Sequence, residues 1–179
     1  WALSKGSRLG ALVVRHQKKE ITVKDRSELP PPPFRVVEIS VRGDPNISNA
    51  DLERLRELRD LRSFNTWASQ IDDAGLEILR TLPNITVLEI GGSSITDEGM
   101  RTVGQMPTLT TLIIDQTSVS DAGIEHILAC RNLEDVQVGR TKLTGAGVRK
   151  LLQLPNLKVF SCYDVALSRE DVAAFISVG

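Results

Sequence analysis

Cysteine is scarce: two in 179 residues cannot build the disulfide framework that staples many small secreted domains, so a packed core must carry the fold. Histidine is equally rare. His16 and His126 lie far apart in the chain and give no zinc-site spacing. Aromatic residues make up 4%, which excludes a core built around large rings. No apolar run approaches the roughly 18 residues of a membrane span, and no positive-then-apolar leader opens the sequence. A dominant charge of one sign is missing too: the net charge is -1, no basis for a general grip on nucleic acid. Trp1 is not a natural start, so the chain is expected to be an excised domain or a processed product.

What the chain does have is a period. Gly75, Gly99, Gly123 and Gly147 fall 24 residues apart, and three residues before each stands a small polar residue able to cap a helix: Asp72, Thr96, Ser120 and Thr144. Ser48 and Ser168 hold the same register, with Asp51 and Asp171 in the glycine column. A fixed period of this length is the mark of a solenoid, in which each unit buries its apolar face only against its neighbours.

The columns define the unit. Val37, Ile39 and Val41 alternate with Glu38, Ser40 and Arg42, the pattern of a half-buried strand. Downstream the inward columns are Leu61, Ile85, Leu109, Leu133 and Leu157; Phe64, Leu88, Leu112, Val136 and Phe160; and Thr66, Ile90, Ile114, Val138 and Cys162. An apolar residue precedes each cap (Ile47, Ile71, Ile95, Val119, Leu143, Leu167), as in a hydrophobic staple. Pairs at i, i+3 follow, among them Leu76 and Leu79, Met100 and Val103, and Val172 and Phe175, which predicts one buried helical face. Pro83, Pro107 and Pro155 are expected to end helices. Each repeat therefore reads as strand, turn, short helix, turn, with strands in one parallel sheet and helices on the opposite face. The loop at Gly43 to Asn46 carries a one-residue insertion.

Ahead of the repeats, residues 1–15 are compatible with a short helix ending near Gly10. The β-prone runs Ala11–Arg15 and Ile21–Lys24 predict a hairpin with a charged turn, suited to covering the first layer's open edge. Pro30 to Pro33 predict an extended connector. The domain division expected is thus a cap and connector over residues 1–35 and about six repeats over 36–179. Charge divides with it, +5 in the first segment and -6 in the second.

The consensus Leu-x-x-Leu-x-Ile-x-x-Thr/Ser-x-Ile-Thr-Asp-x-Gly-x-x-x-Leu/Val resembles the 24-residue form of leucine-rich repeats over about residues 36–179. The resemblance implies an α/β solenoid that binds proteins, with a polar column, here Ser69, Ser93, Thr117 and Thr141, satisfying backbone groups along the turn; Val165 departs from that column. The opening, Trp1 to Gly6 followed by hairpin, prolines and Val37 to Val41, is similar to the lead-in of leucine-rich-repeat regions attached to some bacterial Ser/Thr protein kinases. No kinase motif is present in the sequence.

Chemistry is thinly represented. His126 and Cys130 share a helix face at i, i+4, yet Cys130 falls in a column with Leu58, Leu82, Met106 and Leu154, and Cys162 in one with Ile90, Ile114 and Val138, so both read as core. Gly91 to Ser94 lacks the Lys of a phosphate-binding loop and reads as a turn. The charged run Glu53 to Arg62 reads as a solvated helix face. The expectation is no enzyme activity, no cofactor and no metal.

What remains is the outer face of the sheet, where structure does not dictate identity. Trp67, Glu89, Ile113, Asp115, Gln137 and Tyr163 are the candidate contact residues, aromatics being enriched among interface anchors. Trp67 and Tyr163, four strands apart, are expected roughly 19 Å from each other, too far for one small-molecule pocket. The reading is a protein-interaction module, the recognition or regulatory part of a larger protein. Its partner is a protein rather than nucleic acid; the chain is monomeric, cytoplasmic and without a membrane span. The alternative is a structural spacer, or the regulatory tail of a bacterial Ser/Thr protein kinase, without a ligand of its own.

Overall fold

A computed structural model describes residues 11–176, except 18 and 25; the helix expected over the first residues and the Phe175 side chain lie outside what is described. Strands β1 (Ala11–His16) and β2 (Lys19–Val23) form an antiparallel hairpin. β1 then pairs antiparallel with β3 (Arg35–Ser40), covering that strand's otherwise open edge. From β3 onward the pairing is parallel, through β4 (Ser63–Asn65), β5 (Val87–Glu89), β6 (Thr111–Ile113), β7 (Asp135–Gln137) and β8 (Val159–Ser161), giving one eight-stranded sheet in the order β2-β1-β3-β4-β5-β6-β7-β8. Pro31 to Pro33 bend, with a cis peptide bond between Pro32 and Pro33, where a straight extended connector was expected.

Like stacks on like. Phe64, Leu88, Leu112, Val136 and Phe160 are register partners in successive strands. Three-residue strands would be weak alone, but the hydrogen-bond ladder continues past them: Thr66 N–H donates to Glu89 O (2.9 Å) and Ala68 N–H to Gly91 O (2.9 Å), and later layers repeat both bonds. The chain turns off the sheet through a left-handed residue in every layer, at Gly43, Ala68, Gly92, Gln116, Arg140 and Asp164. Four of the six are not glycine, and at Ala68, Gln116 and Arg140 the bond that the N–H makes to the next layer helps to hold a conformation that L residues disfavour.

The helices α1 (Asn49–Leu52), α2 (Asp73–Leu79), α3 (Asp97–Val103), α4 (Asp121–Ile127), α5 (Gly145–Leu151) and α6 (Arg169–Ile176) form the opposite layer. Their i, i+3 pairs are buried from Leu52 and Leu55 to Val148 and Leu151. The prolines follow these helices at a distance instead of ending them, and after α1 the chain makes only a 3-10 turn at Glu53–Leu55. The last layer departs from expectation: Val172 is 45% exposed, and Leu157, Phe160, Cys162, Val165 and Leu167 are only half-buried. These side chains have the right pattern but, among the described residues, no further layer stacked on them.

The joints between layers explain the glycine column. Residue N1 of one helix reaches into the N-cap of the next: the Asp73 carboxylate accepts from Thr96 N–H (2.9 Å) and Oγ1 (2.6 Å), Asp97 from Ser120 N–H (2.7 Å) and Oγ (2.6 Å), and Asp121 from Thr144 N–H (2.8 Å) and Oγ1 (2.6 Å). Asn49 joins Asp72 in the same place, its Oδ1 accepting from Asp72 N–H (3.3 Å) and its Nδ2 donating to Asp72 Oδ1 (2.6 Å). The incoming oxygen lies where a Cβ at the next N3 position would be, at 2.5 Å for Asn49 Oδ1 against Gly75 and 2.5 Å for Asp97 Oδ1 against Gly123. Glycine is there to leave a vacancy.

Where no side chain arrives from the layer before, the N3 residue itself is aspartate. Layer one has no preceding repeat, and Asp51 Oδ2 accepts from Ser48 N–H (3.1 Å). Before layer six the N1 position is Gly145, and Asp171 Oδ2 accepts from Ser168 N–H (3.0 Å), with its carboxylate occupying the space beside Gly145. Within the turns, Ser93, Thr117 and Thr141 donate to the carbonyl three residues back, at 2.7 Å for Thr117 to Ile114. Ser69 departs from this column, its buried Oγ having no hydrogen-bond partner.

Candidate interaction surface

Strand alternation places the six candidate side chains on one face. At its centre, Ile113 on β6 is half-buried among neighbours. Glu89, on β5, is half-buried and accepts from Asn65 Nδ2 on β4. Gln137, on β7, donates to the Asp135 carboxylate (3.3 Å). Asp115 belongs to the face but is not an open contact residue: it is 4% exposed, and its Oδ1 accepts the Gly139 N–H of the next layer.

The two aromatics are nearer to each other than the strand count implies. They share one column just past the strands: Arg42, Trp67, Gly91, Asp115, Gly139, Tyr163. Trp67 lies over Gly91 in the following layer, where a Cβ would come within 2.7 Å of its Cε3. Tyr163 lies over Gly139 in the preceding layer, where a Cβ would come within 2.6 Å of its Cζ. Each ring is thus displaced one strand toward the other. The separation falls from roughly 19 Å to about 10 Å, the width of two strand spacings, and Asp115 is midway.

Two cations stand by the rings. The Arg42 guanidinium is 6.0 Å from the centre of the Trp67 ring, and that of Arg140 is 5.6 Å from Tyr163. Arg140 is also held by Asp164 at 2.8 Å. The sequence reading put Arg42, Gly91 and Gly139 on this face without giving them a role and passed over Arg140, although a large residue beside a glycine in one column was a visible sign.

The carboxylates are crowded. Burial pushes the pKa of Glu89 up, Arg42 draws it down, and the charges of Glu38 and Asp135 push it up again. Burial likewise raises Asp115, against the Gly139 N–H and the Tyr163 hydroxyl, which favour its charge, and with Asp135 adding repulsion. An extra cation on this face would relieve what the fold leaves uncompensated.

Of the cysteine and histidine pair, Cys130 comes out as core packing and His126, on α4, is half-buried. Cys130 is fully buried, its Sγ donates to Val103 O (3.2 Å), and burial raises its pKa to about 11, so it is a thiol at neutral pH. Cys162 is half-buried, against the expectation of a core residue, because no described layer is stacked on its own. Among the described residues no group of three or more His, Cys, Asp or Glu is placed to hold a metal, and no helix is long and apolar enough to cross a membrane.

A family profile described as "Leucine Rich repeat" matches residues 81–104. Against curated proteins the sequence has no match. Among solved structures, the chain is similar to an internalin (InlF) from Listeria monocytogenes, with TM-score 0.57 and 21% identity, covering 67% of this chain and 34% of that one. It is similar also to the leucine-rich-repeat ectodomain of the receptor kinase SOBIR1 from Arabidopsis thaliana (TM-score 0.52, 14% identity, 90% of this chain and 83% of that). A third likeness is to internalin C2 from Listeria monocytogenes (TM-score 0.50, 26% identity, 64% of this chain and 45% of that). The fold is an α/β leucine-rich-repeat solenoid. The chain spans about a third of the length of the internalin it matches.

Proposed function

We propose that the chain is a non-catalytic protein-interaction module that docks a partner on the outer face of its sheet, and that it is the recognition or regulatory part of a larger protein. The carrying observation is the column in which Trp67 and Tyr163 lean toward each other over Gly91 and Gly139. Neither ring contributes to the buried core, and keeping both in place requires a glycine under each. The likeness in fold to a receptor-kinase ectodomain and to internalins supports a recognition role. The division into a cap over residues 1–35 and repeats over 36–179 belongs to the same reading, as do a monomeric state and a cytoplasmic location; the two free thiols support a reducing compartment.

The test is capture from an extract of the source cell with the wild-type chain and with the Trp67→Ala/Tyr163→Ala double variant, both checked for native circular dichroism. The expected result is a protein retained by the first and lost with the second. Retention of the same proteins by both would reduce the face to bare scaffold.

A further inference from the structure

Unpartnered polar atoms gather in one corner of the molecule. Among the described residues, three buried side-chain oxygens have no hydrogen-bond partner: Asp44 Oδ2, Thr66 Oγ1 and Ser69 Oγ. Their residues are 6%, 0% and 8% exposed, so bulk water does not reach them, and a buried polar group without a partner destabilises the fold that holds it.

All three belong to the turns of the first two layers. The residue after the left-handed position is Asp44 in layer one and Ser69 in layer two, then Ser93, Thr117 and Thr141. From layer three on, that residue donates to the carbonyl three residues back, at Ile90, Ile114 and Val138. A carboxylate has no proton to give, so Asp44 cannot repeat the bond; its Oδ1 instead accepts from Asn46 N–H (2.9 Å) and Nδ2 (3.1 Å). Ser69 has the proton and no acceptor for it. Thr66 brings a hydroxyl into a column that continues as Ile90, Ile114 and Val138. Three departures from the columns thus coincide: an acid at 44, a hydroxyl at 66, and the extra residue in the Gly43 to Asn46 loop. The two turns lie directly on one another, for Gly43 N–H donates to Trp67 O (2.8 Å) and Gln70 N–H to Ile47 O (2.8 Å), which brackets Asp44 against Ser69.

We propose that this corner holds one buried water molecule, bridging the first turn to the second. Water has the hydrogen-bonding capacity the corner needs: it accepts from Ser69 Oγ and Thr66 Oγ1 and donates to Asp44 Oδ2 and to the Thr66 carbonyl, within the two to four partners typical of an internal water. A cation suits the corner less well. It would leave both hydroxyl protons to be placed elsewhere, and Asp44 supplies the one carboxylate among these oxygens. The inference stands whether or not the sheet face docks a partner.

A high-resolution crystal structure of the chain, grown without divalent metal, and water oxygen-17 relaxation dispersion in solution test this together. The expected density is a single peak about 2.7–3.0 Å from Asp44 Oδ2, Ser69 Oγ and Thr66 Oγ1. In solution, Thr66→Val should shorten that water's residence about tenfold, as loss of one hydrogen bond implies; valine already fills this column at Val138. Adding Ser69→Ala should remove the slow component altogether, while Ser93→Ala, whose hydroxyl already has the Ile90 carbonyl, should leave it unchanged. Ser69 Oγ donating directly to Asp44 Oδ2 or to the Thr66 carbonyl, with no peak between, would overturn the proposal. So would a peak ringed by about six or more oxygens at roughly 2.3–2.6 Å, the mark of calcium, or a relaxation profile that neither variant alters. Should the double variant fail to fold, the wild-type density and the Thr66→Val variant still decide.

Discussion

The joints inside the array and the joint at its C-terminal end solve one problem in opposite ways. Between layers three and four, Asp97 crosses the gap, binds the Ser120 cap, and fills the vacancy at Gly123. Between layers five and six the link runs backward: Gly145 has no side chain to send, Asp171 turns to its own cap at Ser168, and Arg149 of layer five pairs with the same carboxylate. In the first arrangement the earlier layer supplies the carboxylate that holds the cap, and in the second the later layer supplies its own. Aspartate at N1 and glycine at the following N3 are therefore one device divided between two repeats. The glycine period measures the device rather than any demand of the helix backbone.

This contrast can be attacked at several strengths. The largest effect is expected from Gly123→Ala, whose methyl group must displace the Asp97 carboxylate and crowd Val119: stability by chemical denaturation should fall by about 2–3 kcal/mol. Next is Asp97→Ala, which removes two charge-assisted bonds to Ser120 and should cost about 2 kcal/mol in the same measurement. Smaller and more telling is the exchange Gly145→Asp with Asp171→Gly. Each single change should destabilise, whereas the pair should recover at least wild-type stability, a coupling of about 1 kcal/mol in a double-mutant cycle. The least costly probe is alkylation under native conditions: Cys162 in the open last layer should react well before Cys130, which burial keeps protonated.

The sheet face gives a pH test of different sign. Burial raises Glu89 and Asp115, so through the window above the ordinary carboxylate range the folded chain binds more protons than the unfolded one, and these two groups lower stability as pH rises to neutrality. Glu89→Gln should accordingly raise the melting temperature at neutral pH and change it least at a pH below that window. A variant that melts earlier at neutral pH would show that the crowding costs nothing.

Most of the solenoid was readable because its strongest constraint places like residue over like residue, and a column at fixed spacing exposes that directly. Leu88, Leu112 and Val136 could be stacked from the sequence alone. The clamps could not: Asp97 meets Ser120, one residue short of a period, so comparison by column sets each beside its own kind and never beside its partner. The left-handed turn was equally hidden, since Ala68, Gln116 and Arg140 carry no glycine signal and the bonds their N–H groups make to the next layer are visible only in the structure. For the candidate surface, alternation identified which side chains face outward. How far they tilt was a matter of what lies under them, and Gly91 and Gly139 are silent until the rings of Trp67 and Tyr163 are laid across them.

A device split across successive units also decides how such an array can grow. An interior repeat with aspartate at N1, such as Asp97 to Ser120, carries both an acceptor for the unit ahead and a gap for the unit behind, so a tandem copy of it inserted in frame would be accepted on either side. The sixth unit has Arg169 in place of that aspartate and so passes no acceptor on. Lengthening by duplication is therefore open through the units that carry aspartate at N1.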